Sequence, residues 1–522
     1  MHRNDNGTNS GLGLWAVVLL SVFAWAPTTY PGYWRTLEGL APIFNAQFPA
    51  PIARIATVAD LWRGTGSAAF LLARPLILLG ASPTVAVRVL FAITIVLGAL
   101  GMYLWLRPRL GDRAAGLAGL IYALAPPVLA TVYVRGSLAD AWVLALLPLA
   151  LAGLTVYTSS RSPAGAGVAI LALLWMWRTQ AGLALFASLA LVLYSLWVER
   201  DRLALAATVV TSAAGFLSLL PLWAIRGPAP APFHEHFLAV FQLFGAAWET
   251  GPSIPGWQDA YPFQLGFPIV AFSLLAAWLL WRGRGAAPPG NAEVRRLTGF
   301  SLALGLVALL LSLGISGSFW QVTAAERLLS YPWQVILIGM PFLAALAGSL
   351  PALLPGLACR GYWSALLAIV LITGYPNLQA DFVQYTPPDQ PVAVFGEHAD
   401  LVLLEARVHE KTAVQGGVAS VDLAWQSVRA MPFDYNLFFQ ALTADEQGGY
   451  RVVAQLDRQP LPERPATTWE PGTIFTTTLR LELPVSPEQV PLRYYLGFYD
   501  WRDGSRLPLF GGLDDKVVLY GD

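Results

Sequence analysis

Residues 30–40 read Tyr-Pro-Gly-Tyr-Trp-Arg-Thr-Leu-Glu-Gly-Leu, and they lie between a first apolar segment and a long series of further apolar segments. The polar stretch continues through Asp60, Trp62 and Arg63. A polar stretch of this length between apolar segments is typical of a loop between membrane spans. The stretch therefore indicates a membrane protein whose first loop carries acidic and basic side chains.

Composition supports the same fold class. Of the 522 residues, 56% are hydrophobic and 12% are charged, against about 25% charged residues in an average soluble domain. Residues 1–385 hold 21 arginines, no lysine and 13 acidic residues, whereas residues 386–522 hold 11 basic and 19 acidic residues. We therefore predict a polytopic α-helical membrane domain, 1–385, and a separate acidic domain, 386–522.

Eleven segments are apolar enough to count as spans: 12–27, 84–106, 114–132, 138–158, 165–177, 180–198, 203–225, 263–281, 297–315, 332–352 and 361–376. The first segment could also be a signal peptide, but no clear small-residue cleavage site follows it, so we interpret it as an uncleaved span.

Segment 66–80 is too short to cross a hydrocarbon core of about 30 Å, and Arg74-Pro75 interrupts it. If it does not span, the arginine-bearing loops share one side of the membrane, as the positive-inside rule requires. We therefore predict an interfacial or re-entrant helix at 66–80, a first outer loop at 28–83, and an extracytoplasmic C-terminal domain.

From about Val392 the pattern changes to short alternating runs: Val418–Trp425, Tyr450–Leu456, Ile474–Leu483 and Leu492–Tyr499. Turn residues such as Pro471-Gly472 and Asp503-Gly504 separate the runs. This pattern predicts an all-β sandwich. We expect its core to contain the aromatic side chains of Trp425, Trp469 and Trp501.

Three patches carry a family resemblance. Residues 133–140, Tyr-Val-Arg-Gly-Ser-Leu-Ala-Asp, followed by Leu-Leu-Pro-Leu at 146–149, resemble a stretch of the bacterial 6-pyruvoyl-tetrahydropterin synthase-related membrane protein family. Pro31-Gly32 and Glu38-Gly39-Leu40 resemble the first-loop motif of that family, where an Asp-Gly pair normally stands. The patches at 469–472, 497–500 and 504–508 are similar to a β-sandwich domain often appended to such proteins.

This resemblance implies a GT-C-like fold of the protein O-mannosyltransferase type in the bacterial plasma (inner) membrane. It implies transfer of a sugar from a polyprenyl-phosphate donor to an extracytoplasmic glycan or protein acceptor, in envelope or surface-glycan assembly. The alternative is a non-catalytic protein that binds lipid-linked glycans or scaffolds envelope assembly, because Leu37 and Pro42 stand where the family has histidines. We expect membrane lipids as partners, no cofactor, and no nucleic acid.

Glu38 is the candidate general base, because transfer to a hydroxyl requires that hydroxyl to lose its proton; otherwise it is a surface carboxylate paired with Arg35. Asp140 either orients the acceptor or pairs with Arg135 at a helix start. Several arginines suit either phosphate oxygens or lipid headgroups: Arg35, Arg54, Arg63, Arg135, Arg178 and Arg327.

His234-Glu235-His236 is the one run that suggests a metal. Its alternating spacing suits a strand, and no third ligand is evident, so we predict no metal site.

Overall fold

A computed structural model describes residues 11–47, 67–218, 233–282 and 292–520, except for short segments at 246, 251–252, 385–387, 389, 397–398, 410–411, 414–416, 430, 432, 445–448, 484–489, 492 and 511–513. The chain forms two compact units, which we call the helical unit and the β unit. The helical unit comprises Met1–Thr36, Ala56–Leu76 and Val85–Val383, and the β unit comprises Leu37–Ile55, Ile77–Thr84 and Gln384–Asp522.

The helical unit contains eleven described α-helices of nine residues or more, and each overlaps one of the predicted apolar segments. They are α1 Leu12–Leu20, α2 Pro83–Leu110, α3 Asp112–Ala123, α4 Leu138–Ser160, α5 Pro163–Thr179, α6 Ala181–Tyr194, α7 Arg202–Leu217, α8 Phe267–Arg282, α9 Ala292–Ser312, α10 Ile336–Gly348 and α11 Arg360–Gly374.

Six helical stretches in the described residues are long and apolar enough to cross a membrane: Leu12–Thr29, Pro83–Leu110, Leu138–Ser160, Ala181–Glu199, Ala292–Ser312 and Pro332–Leu353. A pair bent by 42°, Asp112–Ala123 with Pro126–Arg135, would make a seventh. Several membrane helices are thus confirmed, but the number eleven is not. Within the predicted re-entrant segment, the helix Ala73–Leu78 is too short to count as a span.

The chain enters α4 through a tightly determined turn. The π-helix Thr131–Arg135 ends at Gly136, whose φ is +72°. A Cβ atom at Gly136 would lie 2.3 Å from Thr36 Oγ1, so both the backbone conformation and the available space require glycine. Ser137 then caps α4 by accepting a hydrogen bond from the backbone N–H of Asp140 at 3.3 Å. This turn fixes where Arg135 and Asp140 lie.

A two-stranded ladder also belongs to the helical unit. It joins β1 Tyr33–Trp34, which follows the first membrane helix, to β2 Phe382–Val383. Trp34 is fully buried, and its indole N–H donates to the carbonyl of Val132 at 2.8 Å. The start of the predicted first loop is therefore anchored beside the turn that precedes α4.

The β unit contains the strands β3 Ala393–Phe395, β4 Leu401–Val408, β5 Thr412–Ala413, β6 Val418–Ser427, β7 Asn436–Ala444, β8 Tyr450–Arg458, β9 Ile474–Glu482, β10 Val490–Pro491, β11 Arg493–Tyr499 and β12 Val517–Tyr520. Two four-stranded antiparallel sheets have the orders β3-β4-β6-β9 and β12-β11-β7-β8. Side chains from both sheets form one hydrophobic core.

The predicted C-terminal β region is confirmed, and the four strands named from the sequence correspond to β6, β8, β9 and β11. Trp425 and Trp469 lie in the core, as predicted. The prediction for Trp501 is wrong, because its side chain is 61% exposed. It lies in the turn after β11, where the alternation of the strand no longer directs side chains inward.

Part of the predicted first loop is built into the β unit. The backbone N–H of Leu40 donates to the carbonyl of Val428 at 2.6 Å. Gly39 has a φ of +52°, and a Cβ there would lie 2.3 Å from the same carbonyl oxygen. In the short helix Ala41–Gln47 that follows, Ile43 and Phe44 are fully buried. The sequence boundary near 386 therefore separates compositions, whereas the compact β unit also includes residues from 37 onward.

Candidate functional site

A buried ion pair lies where the chain enters α4. The Asp140 side chain is fully buried, the Arg135 side chain is 7% exposed, and the guanidinium of Arg135 donates to Oδ2 of Asp140. Two amide side chains complete the carboxylate's surroundings: Gln180 Nε2 donates to Oδ1 at 3.1 Å, and Gln334 Nε2 donates to Oδ2 at 3.3 Å. The predicted pairing of Asp140 with Arg135 is therefore present, and the two amides were not foreseen.

The two amides come from connections between helices. Gln180 is the single link between α5 and α6. Gln334 belongs to the 3₁₀ turn Pro332–Val335 before α10, and its Oε1 accepts the backbone N–H groups of Ser330 and Tyr331, each at 3.0 Å. Asp140 thus joins the connections that precede α4, α6 and α10.

An aromatic wall adjoins the ion pair. The Arg135 guanidinium lies 5.3 Å from the centre of the Trp333 ring, a geometry that cation–π attraction favours. Trp333 stacks on Tyr331 at 5.1 Å and contacts Tyr261 at 4.8 Å and Phe263 at 5.5 Å. We call these four rings the aromatic wall.

The indole N–H of Trp333 is buried and has no hydrogen-bond partner within the described part of the chain. A buried donor without a partner costs about 1–3 kcal/mol. Such a donor beside an arginine is a natural contact for an oxygen-rich ligand.

A second polar cluster adjoins the aromatic wall. Ser253 Oγ donates to Asp259 Oδ2 at 2.6 Å and lies 2.9 Å from Nδ1 of His236. The His236 ring contacts Tyr331 at 4.9 Å, and the backbone N–H of Tyr261 donates to Asp259 Oδ1 at 3.0 Å. Because Tyr331 and Tyr261 belong to the wall, the wall links this cluster to the ion pair.

Burial shifts the protonation equilibria of this cluster. It lowers the pKa of His236, against the opposing effect of the negative charges of Asp259 and Glu235. Burial raises the pKa of Asp259, against the hydrogen bonds from Ser253 and Tyr261. Burial also raises the pKa of Tyr261, on which Arg135, Asp140 and Asp259 all act through their charges. The Tyr261 hydroxyl is therefore within electrostatic reach of both polar clusters.

The histidines of the His234-Glu235-His236 run have different partners. His234 pairs with Glu326 at 2.5 Å, whereas His236 contacts Ser253. Among the described residues, no group of three or more His, Cys, Asp or Glu side chains could hold a metal ion. Sequence reasoning missed the partners of His236, namely Ser253 and Asp259, which follow it in the same loop between helices.

The other predicted site residues are dispersed. Glu38 belongs to the β unit, where its carboxylate lies 3.8 Å from Arg429, whose guanidinium also lies 3.3 Å from Asp400. Arg35 is exposed and lies 3.3 Å from Asp381. Arg178 is buried in the last turn of α5. Arg54 and Arg63 lie outside the described residues, and the side chain of Arg327 is likewise not described.

A further buried ion pair lies near the end of α4. Arg109 donates to Glu199 at 2.7 Å, and the hydroxyls of Thr155 and Thr158 donate to the same carboxylate at 2.9 and 2.5 Å. Tyr194 contacts both Arg109 and Thr155 through its hydroxyl. No sequence pattern pointed to this cluster, since Arg109 and Glu199 lie at the ends of apolar segments, where charged residues are ordinary.

A cavity of about 110 Å³ lies among α4, α5, α6 and α7, far along α4 from Asp140. Its walls are mostly alanine and leucine, with Tyr157, Thr208 and Thr211 as the polar side chains. None of its described lining residues is a carboxylate or an arginine, so it is not the candidate site.

No protein-family model matches the chain, and no curated protein matches it. The resemblance to the 6-pyruvoyl-tetrahydropterin synthase-related family therefore finds no support. Among solved structures, apo ArnT from Cupriavidus metallidurans is similar with 15% identity and a TM-score of 0.27, over 64% of this chain and 76% of that chain.

A second solved structure is alkylpurine DNA glycosylase AlkC from Pseudomonas fluorescens, bound to DNA containing an abasic site analogue. It is similar with 10% identity and a TM-score of 0.13, over 81% of this chain and 98% of that chain. At these TM-scores neither likeness establishes the fold.

Proposed function

We propose that the helical unit is a GT-C-like membrane glycosyltransferase, which transfers a sugar from a polyprenyl phosphate to a hydroxyl of an extracytoplasmic acceptor in envelope or surface-glycan assembly. The observation that supports the proposal is the buried pair Arg135–Asp140 beside the unpartnered indole N–H of Trp333. Charges buried among membrane helices are costly and mark functional sites by default.

In this proposal the donor lies along the aromatic wall. Arg135 carries a permanent positive charge and binds the lipid phosphate, which is the leaving group. The ring faces of the wall pack against the apolar face of the sugar, while the Trp333 N–H donates to one of its oxygens. Gln180 and Gln334 hold Asp140, and Asp140 in turn fixes the direction of the guanidinium.

The experiment is Asp140→Asn in the full-length protein, reconstituted in vesicles and supplied with polyprenyl-phosphate hexose and a soluble acceptor. Loss of the carboxylate charge misdirects Arg135, and we expect kcat/KM to fall by about 100-fold or more, as for loss of a preorganised charged contact. The matched control is Glu199→Gln, which removes the same charge from the other buried ion pair.

Removal of one partner of a buried pair costs about 3–5 kcal/mol of stability, so both variants should melt at lower temperature. The proposal requires that only Asp140→Asn lose turnover beyond what its folded fraction explains. Equal turnover per folded molecule in the two variants would contradict it.

A second candidate function is binding of lipid-linked glycans without transfer. It is favoured by the arginine beside each predicted catalytic carboxylate: Asp140 accepts a hydrogen bond from Arg135, and Glu38 lies 3.8 Å from Arg429. A carboxylate held by a cation accepts a proton less readily. Wild-type protein that binds radiolabelled donor in vesicles, but never releases lipid phosphate in the presence of acceptors, would support this function.

A further inference from the structure

The cluster of His236, Ser253 and Asp259 lies next to the aromatic wall and is not needed to bind the donor. We infer that His236 is the catalytic base that takes the proton from the acceptor hydroxyl, and that Asp259, through Ser253, is a positioning residue that sets the histidine tautomer. This inference rests on the proposed function and deepens it. It makes His236 an alternative to Glu38 as the proton acceptor, and the role of Glu38 stays a prediction from the sequence.

The hydrogen-bond directions follow from a count of protons. Ser253 has one O–H, and an ionised Asp259 carboxylate can only accept, so the Ser253 hydroxyl donates to Asp259 over 2.6 Å. Ser253 Oγ must then accept from the Nδ1–H of His236 over 2.9 Å. His236 therefore carries its proton on Nδ1 and a lone pair on Nε2.

Asp259 is itself fixed. Its second oxygen, Oδ1, accepts the backbone N–H of Tyr261 at 3.0 Å. His236, Ser253 and Asp259 are each buried, with exposed fractions of 6, 6 and 9%. A buried, rigid chain of this kind holds one tautomer, as the carboxylate does for the histidine of a serine-protease triad.

The lone pair on Nε2 is available to a substrate. Ser253 is the one hydrogen-bond partner of the His236 ring within the described ranges. The groups that act on the ring are Asp259 and Glu235, through their charges, and the ring of Tyr331. Both charges stabilise the imidazolium that forms when Nε2 accepts a proton, whereas burial keeps the resting ring neutral.

The O–H bond of the acceptor breaks and its proton goes to Nε2 of His236. The acceptor oxygen bonds to the anomeric carbon as the bond from that carbon to the phosphate oxygen breaks, and the electron pair remains on the lipid phosphate beside Arg135. The imidazolium later releases its proton to water, which restores the neutral ring.

The sharpest variant is Asp259→Asn, which is nearly the same size. The Tyr261 N–H retains the amide oxygen, so the amide NH₂ faces Ser253 and donates to it. Ser253 must then donate to Nδ1 of His236, which moves the ring proton to Nε2 and removes the basic lone pair. We expect kcat to fall by about 100-fold or more, the usual share of general base catalysis, with the KM for the donor nearly unchanged.

The tautomer has its own readout. The chain has five histidines, so ¹⁵N-histidine solid-state NMR of the full-length protein, with His236→Gln to assign the signal, can follow one ring. We expect Nδ1–H in the wild type and Nε2–H in Asp259→Asn. Wild-type His236 protonated at Nε2 would overturn the inference without affecting the proposed function.

His236→Gln gives the direct test, and His234→Gln is its matched control two residues upstream, where the ring pairs with Glu326 at 2.5 Å. In the wild type, kcat should rise with pH through an apparent pKa below the ordinary value of about 6.5, and this limb should vanish in His236→Gln. His234→Gln should behave as wild type.

Four further results would overturn the inference. The first is a loss of kcat in His236→Gln that is no larger than the loss in His234→Gln. The second is a 100-fold loss of kcat that occurs only in Glu38→Gln, which would make Glu38 the proton acceptor. An unchanged kcat in Asp259→Asn overturns it even if His236→Gln fails to fold. Wild-type protein that transfers no sugar from any lipid-phosphate donor removes the proposed function and this inference together.

Discussion

Two buried ion pairs lie near opposite ends of the same helix, α4. Arg135–Asp140 lies at its start, and Arg109–Glu199 meets it at Thr155 and Thr158. Asp140 and Thr155 are fifteen residues apart, which is about 22 Å along an α-helix. Each pair has an arginine, a carboxylate and a nearby tryptophan, so the differences between them are informative.

The partners of the two carboxylates come from different places. Glu199 accepts hydrogen bonds from two hydroxyls near the C-terminal end of α4. The nearby Trp105 N–H donates to the Tyr194 hydroxyl at 2.9 Å. Asp140 is bonded by amides from two connections between helices, and the nearby Trp333 N–H has no described partner. A closed set of hydrogen bonds stabilises a fold, whereas an open donor beside a charge leaves room for a ligand.

The largest expected effect comes from replacing each whole pair by apolar residues. Such replacements at buried pairs are often neutral or stabilising by about 1–4 kcal/mol. We expect Arg109→Met with Glu199→Leu to keep both stability and turnover. Arg135→Met with Asp140→Leu should keep stability within the same range but abolish turnover, because the phosphate loses its cation. Thermal melting and transfer assays on both double variants measure this.

The same double variants can show that the two ion pairs do not differ in function. If both double variants retain turnover, the pair at the start of α4 is structural like the other. If both lose turnover while they melt as wild type, the pair near the end of α4 belongs to the machinery as well.

A smaller effect tests the unpartnered indole. Trp333→Phe keeps an aromatic ring but removes the N–H, so donor binding should weaken about three- to tenfold, the worth of one hydrogen bond. Trp105→Phe is the control, because its N–H already has a partner in Tyr194. It should lose stability by about 1 kcal/mol without weakening binding. Titration of fluorescent polyprenyl phosphate into vesicles measures donor binding by each of the two variants. Equal binding by the two would contradict the role of Trp333.

The smallest expected effect on stability is at Glu38. The distance between Glu38 and Arg429 is long for an ion pair, at 3.8 Å, and both side chains are 20% exposed. The exposure of this pair is therefore intermediate between that of a buried pair and that of a surface pair. We expect Glu38→Gln to cost less than about 1 kcal/mol of unfolding free energy. Denaturant unfolding of the full chain followed by the β-unit signal measures it. A loss as large as that of Asp140→Asn would mean that Glu38 is bound as tightly as the two buried carboxylates.

Much of the fold was predictable because it depends on local patterns. Hydropathy over twenty residues shows the helices, and alternation shows strands such as β6 and β9. The pairing of Asp140 with Arg135 was also foreseeable, since an acid in the first turn of a helix near an arginine is a local arrangement.

The remainder of the site depends on long-range contacts. Gln180 and Gln334 are neutral, lie 40 and 194 residues from Asp140 in sequence, and give no signal until the helices assemble. His236 lies in a run considered only as a metal site and predicted not to be one, while Ser253 and Asp259 read as ordinary loop residues. The contact of Leu40 with Val428 could not be predicted from composition, because composition is averaged over neighbours in sequence and these two residues are far apart in the chain.

The assignment of residues 37–47 to the β unit, directly after a segment of the helical unit, has a consequence for proteolysis. The chain passes from one unit to the other at 36–37, 55–56, 76–77, 84–85 and 383–384. A single cut just after 384 would therefore not shed the C-terminal region, since Leu40 and its neighbours remain hydrogen-bonded to that region as a non-covalent fragment pair. A nicked protein should migrate as one particle in mild detergent and as two fragments after denaturation. Release of this region would therefore need either dissociation of the two fragments or further cleavages on both sides of 37–55 and of 77–84.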